Sequence, residues 1–217
     1  MIITVFGDVH GNIIALEKLF DLEKNQTDLF ICHGDVVNYA PWSNDCVAFL
    51  VNQSNCKLLK GNHEKYFIEG NYDGEKIVAR SFFDFCFNKF DISNKKIINN
   101  YNLDFEIENF KIQHTIFDKY IFLDTDLGDN KIYKNQIIGH SHQQYQRECN
   151  GFQIFNTGSL GQNRSFINKC DYLKIDTDNN NVELKYFTHN IDAVINQMKT
   201  EKYPQICTDY YLSKNKI

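Results

Sequence analysis

Side chains able to bind metal ions occur in five separated segments of this 217-residue chain. The segments read Asp8-Val9-His10, Gly34-Asp35, Gly61-Asn62-His63-Glu64, His114 and Gly139-His140-Ser141-His142. Together they offer carboxylate, amide and imidazole ligands and no thiolate, a mixture that suits divalent transition ions. If the segments converge, they can enclose a pair of such ions, an arrangement that hydrolyses phosphate esters and anhydrides.

Each segment also has an ordinary structural explanation when it is considered alone. Asp8 and His10 are a common kind of pair in a polar loop, and an isolated histidine such as His114 is more often a hydrogen-bonded core residue. His140 and His142 form a better pair, because an extended backbone would point both side chains the same way. The prediction of a metal centre therefore depends on the joint occurrence of all five segments.

The apolar pattern predicts the elements that would position these segments. Three short apolar runs, at residues 2–6, 29–32 and 57–59, each end just before one of the candidate segments. A helical pattern over 12–24 follows the first run. Strands and helices that alternate in this way indicate a layered α/β fold, in which side chains beyond the carboxyl ends of strands meet in a crevice.

The second half of the chain has a different texture. The pattern predicts a helix over 75–90, short strands beyond residue 100 that include one at Tyr120–Leu123, and a final helix over 191–199. The tail from about residue 200 is polar, and we expect it to be loosely ordered. No linker rich in Pro, Gly or Ser interrupts the chain, so residues 1–217 are predicted to form a single domain.

Charge and cysteine content exclude several classes of function. The net charge of −5 argues against a protein that grips an extended nucleic acid. The seven cysteines form no CxxC pair and are expected to be reduced thiols. Because no apolar run approaches the roughly 20 residues that span a bilayer, we predict a cytoplasmic protein without a membrane partner.

The ordered pattern D-x-H, G-D, G-N-H-E, H and G-H-x-H resembles the calcineurin-like metallophosphoesterase superfamily. The resemblance runs from Asp8 to His142 and continues weakly over residues 156–164. Small bacterial and archaeal phosphodiesterases and diadenosine-polyphosphate hydrolases are the members that look most similar. The resemblance implies a four-layer α/β/β/α sandwich with two mixed β-sheets flanked by helices.

The resemblance also implies how the ligands are divided. The first ion would be held by Asp8, His10 and His142, the second by Asn62, His114 and His140, and Asp35 would bridge the two. A hydroxide shared by the ions would attack phosphorus. Among metals, Mn is the first choice for this ligand set, with Fe, Zn, Ni or Co as alternatives.

Two positions near the expected centre depart from the protein phosphatases of this superfamily. There, an Asp three residues after the bridging Asp pairs with the histidine that would act as the acid, here His63. This chain has Asn38 at that place and Tyr39 where the phosphatases have an arginine. A neutral amide does not favour imidazolium as a carboxylate does. We therefore expect a small phosphodiester or a nucleotide polyphosphate with a good leaving group, and not a phosphoprotein.

Asn38 is itself a candidate for contact with the substrate. Asn12, Tyr39 and Arg164 are three further candidates, each with a structural alternative. Asn12 could donate to a phosphate oxygen or cap the helix that begins there. Tyr39 could form an apolar wall for a base or pack at a loop corner. Arg164 could reach a distal phosphate or lie on the surface.

Other functions of the same fold stay open at this point. A non-catalytic scaffold is one, although none of the seven expected ligand types is missing. A phosphomonoesterase and a nuclease acting on a short oligonucleotide end are the others. The residues do not determine the oligomeric state.

Overall fold

The computed structural model of the protein describes residues 1–128 and 132–217. These residues form ten strands and seven helices. In chain order they are β1 (Ile2–Phe6), α1 (Ile13–Glu23), β2 (Leu29–Cys32), α2 (Ser43–Val51), β3 (Cys56–Leu58), α3 (Asn62–Glu69), α4 (Ile77–Phe87), α5 (Ile92–Asn99), β4 (Asp104–Ile107), β5 (Phe110–Gln113), β6 (Asn135–Ile138), β7 (Gln144–Cys149), β8 (Phe152–Thr157), β9 (Lys169–Asp176), β10 (Asn181–Thr188), α6 (Ile191–Thr200) and α7 (Gln205–Leu212).

The strands form two five-stranded sheets. The first has the order β10-β9-β1-β2-β3, in which β1, β2 and β3 are parallel and β9 and β10 are antiparallel. The second has the order β4-β5-β6-β8-β7, in which β5, β6 and β8 are parallel. Both sheets are mixed, so the predicted α/β fold with two mixed sheets is confirmed.

The two sheets face each other across a layer of apolar side chains. Alternate residues of β1 supply this layer, since Ile3 and Val5 point toward the second sheet while Phe6 packs against the helices. The layer consists of Ile3, Val5, Ile31, Leu59, Phe110, Ile112, Ile137, Phe155, Leu173 and Ile175. On the other face of the first sheet, all seven described helices bury residues in one large cluster. That cluster packs the helices against the first sheet.

The outer face of the second sheet is covered by the connection between β5 and β6. Its buried residues pack on β6, β7 and β8, and the resulting cluster consists of Ile116, Ile121, Leu127, Ile132, Ile138, Tyr145 and Ile154. Among the residues that the structure describes, this fourth layer is built from irregular chain and no helix.

The strand expected at Tyr120–Leu123 does not form. A neighbouring strand would need the backbone carbonyls of this segment as hydrogen-bond acceptors, but side chains already donate to them. Tyr145 Oη donates to the carbonyl of Ile121 at 2.7 Å. Arg147 Nη1 likewise donates to the carbonyl of Phe122 at 3.1 Å. The apolar residues here belong to a loop that packs flat on the sheet.

The tail also differs from the expectation of loose order. Residues 205–212 form α7, in which Cys207 and Tyr211 are fully buried. The ring of Tyr211 packs at 5.9 Å from that of Phe82 in α4, measured between ring centroids. The polar composition of the tail hides one apolar stripe with helical spacing.

The helices predicted over 75–90 and 191–199 are present as α4 and α6. No helix in the described ranges is long and apolar enough to cross a membrane.

A buried carboxylate attaches α1 to the first sheet. Glu23 is 4 % exposed and accepts hydrogen bonds from Tyr172 Oη and Lys174 Nζ, both at 2.6 Å. Burial opposes ionisation, but these two donors lower the pKa of Glu23 below its ordinary value of 4.5. Such a group stabilises the fold above its unfolded pKa, and the contribution is lost as the pH falls through the folded pKa.

We predict that Glu23→Gln lowers the free energy of unfolding at pH 7 by about 1.5 kcal/mol, since a charged acceptor is lost from two hydrogen bonds. The difference between variant and wild type should shrink as the pH falls below 4.5, because the unfolded carboxyl takes up a proton there while the native one, whose pKa is lower, is still ionised. Urea unfolding at pH 7 and at a pH below 4.5 measures this difference. Glu17→Gln, an exposed position on the same helix, serves as the control. A pH-independent difference would contradict the assignment.

Candidate metal centre

The candidate ligands all follow carboxyl ends of parallel strands. Asp8 and His10 follow β1, Asp35 follows β2, Asn62 follows β3, His114 follows β5, and His140 and His142 follow β6. The two sheets place these ends at one edge of the sandwich. The five sequence segments therefore meet, as the strand pattern predicts.

The first group of ligands consists of Asp8, His10 and His142. His142 Nε2 lies 3.1 Å from Asp8 Oδ1 and 3.1 Å from His10 Nε2. The other ring nitrogens are engaged with backbone carbonyls: His142 Nδ1 donates to Gln162 at 2.7 Å and His10 Nδ1 to Val37 at 3.3 Å. These bonds set the tautomer, so both Nε2 atoms present lone pairs toward the same point.

The second group consists of Asn62, His114 and His140. His114 Nε2 lies 2.9 Å from Asn62 Oδ1 and 3.1 Å from His140 Nδ1. Three atoms that can bind a metal ion therefore surround one small volume. This is the same arrangement as in the first group, with an amide oxygen in place of a carboxylate.

Asp35 lies between the two groups. Its Oδ2 is 3.3 Å from His114 Nε2 and 3.9 Å from His10 Nε2, so one oxygen faces both sets of ligands. Its Oδ1 accepts a hydrogen bond from the backbone amide of His63 at 2.8 Å. That bond fixes the carboxylate and leaves Oδ2 directed into the centre.

The protonation states suit metal ligands. Burial opposes ionisation of Asp8 and Asp35, but the neighbouring imidazoles, His142 and His114 respectively first among them, lower the pKa of both carboxyls well below their usual range. Burial and His114 lower the pKa of His140 to about 3. Burial disfavours a charge on His114 as well, yet Asp35 raises the pKa of this imidazole to about 9. In the metal-free protein a proton on His114 thus partly neutralises the carboxylates.

The donor set fits divalent ions. Asp8 Oδ1 is buried and accepts no hydrogen bond within the described residues. No proton lies between the facing Nε2 atoms of His10 and His142, because each neutral ring carries its single proton on Nδ1. A cation satisfies these lone pairs, and mixed nitrogen and oxygen ligands suit first-row transition ions.

The backbone of the centre departs from the extended form that the His140-Ser-His142 spacing suggested. Both histidines have left-handed backbone conformations, with φ of 66° and 58°, and they face different groups. Asp8, His10 and Asp35 share this conformation, with φ of 47°, 49° and 54°. Each such non-glycine residue costs about 1–3 kcal/mol, and such strain concentrates at functional sites. The rest of the fold must hold these loops in place.

The Glu64 side chain holds two of the ligand loops together. It is fully buried, and its carboxylate accepts hydrogen bonds from the amides of Asp35 and Val36 at 2.7 Å and of Gly61 at 2.8 Å. Burial and the charge of Asp35 raise the pKa of Glu64 to about 7, which the amide donors oppose. The loop after β2 is thereby fixed to the start of α3, where Asn62 lies.

This close contact explains the glycine of the G-N-H-E segment. A Cβ atom at position 61 would collide with Asp35 Oδ1 and with the backbone nitrogen of the same residue. Any larger residue would push the Asp35 carboxylate away from the centre. Gly61 is therefore required by the approach of two loops.

His63 is next to the centre and is not one of the expected ligands, although its ring, His10 and Asp35 lie close enough together to hold an ion. Its Nδ1 lies 2.9 Å from Asn38 Nδ2, which donates to it, so the proton of the neutral ring is on Nε2. That Nε2 is 4.0 Å from Asp35 Oδ2. Burial lowers the pKa of His63 below its ordinary value. The ring is therefore a neutral hydrogen-bond donor beside the bridging position.

The three candidate substrate contacts have different surroundings. Asn12 caps α1, since its Oδ1 accepts from the amide of Ala15 and its Nδ2 donates to the carbonyl of Gly161. The capping alternative is therefore confirmed. Tyr39 packs edge-on against His10, with ring centroids 4.8 Å apart. Arg164 is half-buried in the loop after β8.

Comparison with known proteins identifies the architecture. The family model for calcineurin-like phosphoesterases matches residues 1–196. The chain belongs to this family. It is thus a metal-dependent phosphoric ester hydrolase, as the ordered ligand segments predict.

Relatives of this phosphoesterase cover almost its whole length. An uncharacterized protein of Methanocaldococcus jannaschii is 26 % identical over 241 aligned residues, which cover 94 % of each chain. The crystal structure of a metallophosphoesterase from Sphaerobacter thermophilus has a TM-score of 0.75 at 19 % identity and covers 98 % of this chain and 99 % of its own. A hypothetical protein of Pyrococcus horikoshii OT3 has a TM-score of 0.81 at 13 % identity, with coverage of 100 % and 99 %. These structures show the shared fold.

Two residues of the phosphoesterase have roles that their sequence positions did not reveal. Glu64 is one. A Glu three residues after Gly61 is a helix-start signal, and it predicts the hydrogen bond from the Gly61 amide but not those from the loop after β2. His33 is the other. It is fully buried behind Asp8, bonds Thr157 Oγ1 at 2.7 Å, and occupies space that a side chain at Gly139 would fill. Both residues support the loops that carry ligands.

We predict that Glu64→Gln weakens Mn²⁺ binding about 10- to 100-fold, the range for residues that orient metal ligands. The amide would turn an NH₂ group toward backbone donors and release the loop of Asp35. Calorimetric titration of the metal-free protein measures the change. Glu75→Gln, at an exposed position, is the matched control. Equal affinity in Glu64→Gln and wild type would show that Glu64 does not position the centre.

Proposed function

We propose that this phosphoesterase hydrolyses a small phosphodiester or nucleotide polyphosphate with two divalent ions, Mn²⁺ being the first choice. The ions would be held by Asp8, His10, Asp35, Asn62, His114, His140 and His142. The observation that carries the proposal is the approach of His10 Nε2 and His142 Nε2 to 3.1 Å beside the unpaired Asp8 Oδ1. A parallel approach of His114 and His140 lies on the other side of Asp35.

The division of work follows from the positions of the side chains. Bound divalent ions would lower the pKa of water and neutralise charge on phosphoryl oxygens. Asp35 contributes the negative charge that offsets repulsion between two cations. The buried, left-handed loops keep the ligands in place before the substrate arrives, so little reorganisation is needed during the reaction.

His63 acts as a neutral donor in this proposal. Asn38 keeps its Nδ1 unprotonated, so Nε2–H is available to a phosphoryl or leaving-group oxygen. A neutral imidazole is a weaker acid than imidazolium and helps a poor leaving group less. Nucleotide and aryl oxygens leave readily, which favours such substrates over phosphoserine or phosphothreonine.

Arg164 and Tyr39 are the proposed contacts with the rest of the substrate. Arg164 lies beside Tyr120, with its guanidinium carbon 5.3 Å from the ring centroid, and Tyr120 in turn stacks on His140. Tyr39 contacts both His10 and His63. The cation and the phenol ring thus lie near opposite groups of the centre. We also propose that the protein is cytoplasmic, which is consistent with a small phosphorylated substrate.

Metal dependence is the direct test of this function. Metal-free protein should be inactive and should recover turnover with Mn²⁺ on bis(p-nitrophenyl) phosphate or diadenosine tetraphosphate, with p-nitrophenyl phosphate as the monoester comparison. The metal content at full activity should approach two ions per chain. Absence of metal-stimulated turnover on all three and on a wider phosphate-ester panel would refute the proposal.

We predict that Asp35→Asn reduces turnover at least about 100-fold, because the shared ligand loses its charge. The amide would also weaken retention of the second ion, which metal analysis after gel filtration detects. The exposed Asp45→Asn is the matched control. Full activity in Asp35→Asn would refute the assigned division of ligands.

Asn38→Asp should alter substrate preference. A carboxylate beside His63 Nδ1 would raise the pKa of the ring and favour imidazolium, which protonates poor leaving groups. We expect kcat/KM for an alkyl phosphate, relative to its aryl counterpart, to rise about tenfold. Asn71→Asp, which adds the same charge at an exposed position, should leave the ratio unchanged. An unchanged ratio in Asn38→Asp would show that residue 38 does not control His63.

A further inference from the structure

The space beside the metal centre is asymmetric. A cleft of about 1190 Å³ begins at Asn62, His114 and His140 and continues along α3 and the β4–β5 hairpin. The first group of ligands is not among the described residues that line it. A phosphoryl group at the centre therefore has room for a large substituent on the side of the second group.

The size of the cleft indicates more than a small alkyl group. Sites for drug-sized ligands enclose about 300–1,000 Å³. A methyl or glycerol substituent would leave most of this cleft to water. A nucleoside, which combines a flat base with a hydroxylated sugar, is a better match in size.

The charges of the lining are almost balanced. Three cations, Lys60, Lys65 and Lys119, are matched by four carboxylates, Glu69, Asp73, Asp104 and Asp118. Lys60 Nζ already donates to the carbonyl of Asn99 at 3.1 Å. Asp104 is also paired with Lys111 Nζ at 2.8 Å, outside the lining. The cleft therefore offers no excess of positive charge to a chain of extra phosphates, whereas the amide of Asn99 and the acceptor oxygens of Gln113 and Thr115 can bond hydroxyls.

Aromatic surface lies where the cleft meets the centre. The ring of Tyr120 stacks on the His140 imidazole, with centroids 3.8 Å apart and planes 19° apart, yet 48 % of the residue stays exposed. Tyr66 lines the same cleft. A flat ring attached to a bound phosphoryl group would come within reach of Tyr120, which is held in place from behind by a candidate ligand.

We propose that this cleft binds the uncharged, ring-bearing alcohol of the substrate, a nucleoside, and that Tyr120 determines specificity by stacking on its base. The proposal rests on the proposed function, because it assumes a phosphoryl group at the metal centre. It narrows the substrate to a nucleoside phosphodiester and excludes a dinucleoside polyphosphate as the preferred one.

Two non-hydrolysable ligands with the same head group separate the cleft from the centre. They are the phosphonate analogue of AMP, in which carbon replaces the ester oxygen, and methylphosphonate, which lacks the nucleoside. Calorimetry on the Mn²⁺-loaded wild type should show at least tenfold tighter binding of the AMP analogue, the scale of one base stacked on one aromatic ring.

Tyr120→Ala should reduce this ratio to about twofold without changing methylphosphonate affinity or bound Mn²⁺. Tyr120→Phe keeps the ring and should keep the ratio. Tyr133→Ala removes a tyrosine that is 76 % exposed and outside the cleft lining, and it should also keep the ratio.

Two binding results would overturn the proposal. One is equal affinity of the wild type for the two phosphonates. The other is an unchanged ratio in Tyr120→Ala, and an equal loss for both ligands would then show that Tyr120 only supports His140. A higher kcat/KM for diadenosine tetraphosphate than for thymidine 5′-(p-nitrophenyl phosphate) would likewise overturn the preference for a diester.

The outcome is separable from that of the proposed function. The phosphonate ratio requires binding and no turnover, so an inactive protein with the expected ratio would refute only the hydrolytic proposal. An active, metal-dependent protein without the ratio would refute only the nucleoside cleft.

Discussion

Two imidazole nitrogens that face each other across 3.1 Å with no proton between them are stable neighbours only when a cation lies close by. His10 and His142 are in this position because each ring has already given its other N–H to a backbone carbonyl. The need of these buried lone pairs for a positive charge is the constraint on which the rest of the centre depends. In the metal-free protein, the proton that His114 retains because of its raised pKa supplies part of that charge.

The fold satisfies this constraint through loops that are individually unfavourable. Five of the seven candidate ligands have left-handed backbone conformations. What holds them is a set of non-local contacts: Glu64 ties the loop after β2 to α3, and the amide of His140 donates to Asp8 Oδ2 at 3.0 Å across the two sheets. The large apolar clusters on both faces of the first sheet hold the strands from which these loops begin.

Reactivity and specificity are separated in space. In the proposed reaction, the pair formed by Asn38 and His63 would govern how strongly a leaving group is protonated, and it lies beside Asp35. The cleft, with Tyr120 at its inner end, lies on the side of the second group and would govern which alcohol is accepted.

The types and order of the motif residues determined the family, the metal-dependent hydrolysis of a phosphoric ester and the α/β fold with two mixed sheets, because ligand chemistry and strand periodicity are properties of short segments. The division of the ligands between two ions came from the resemblance to the family and stays a prediction. Tertiary structure decided what depends on distant contacts. It placed irregular chain over the second sheet, ordered the tail as α7, put His140 and His142 in left-handed conformations toward different groups, and brought Tyr120 onto His140. Apart from the apolar stripe of α7, which the polar composition of the tail hid, none of these has a local signal. Each follows from which distant side chain fills a space or takes a backbone hydrogen bond.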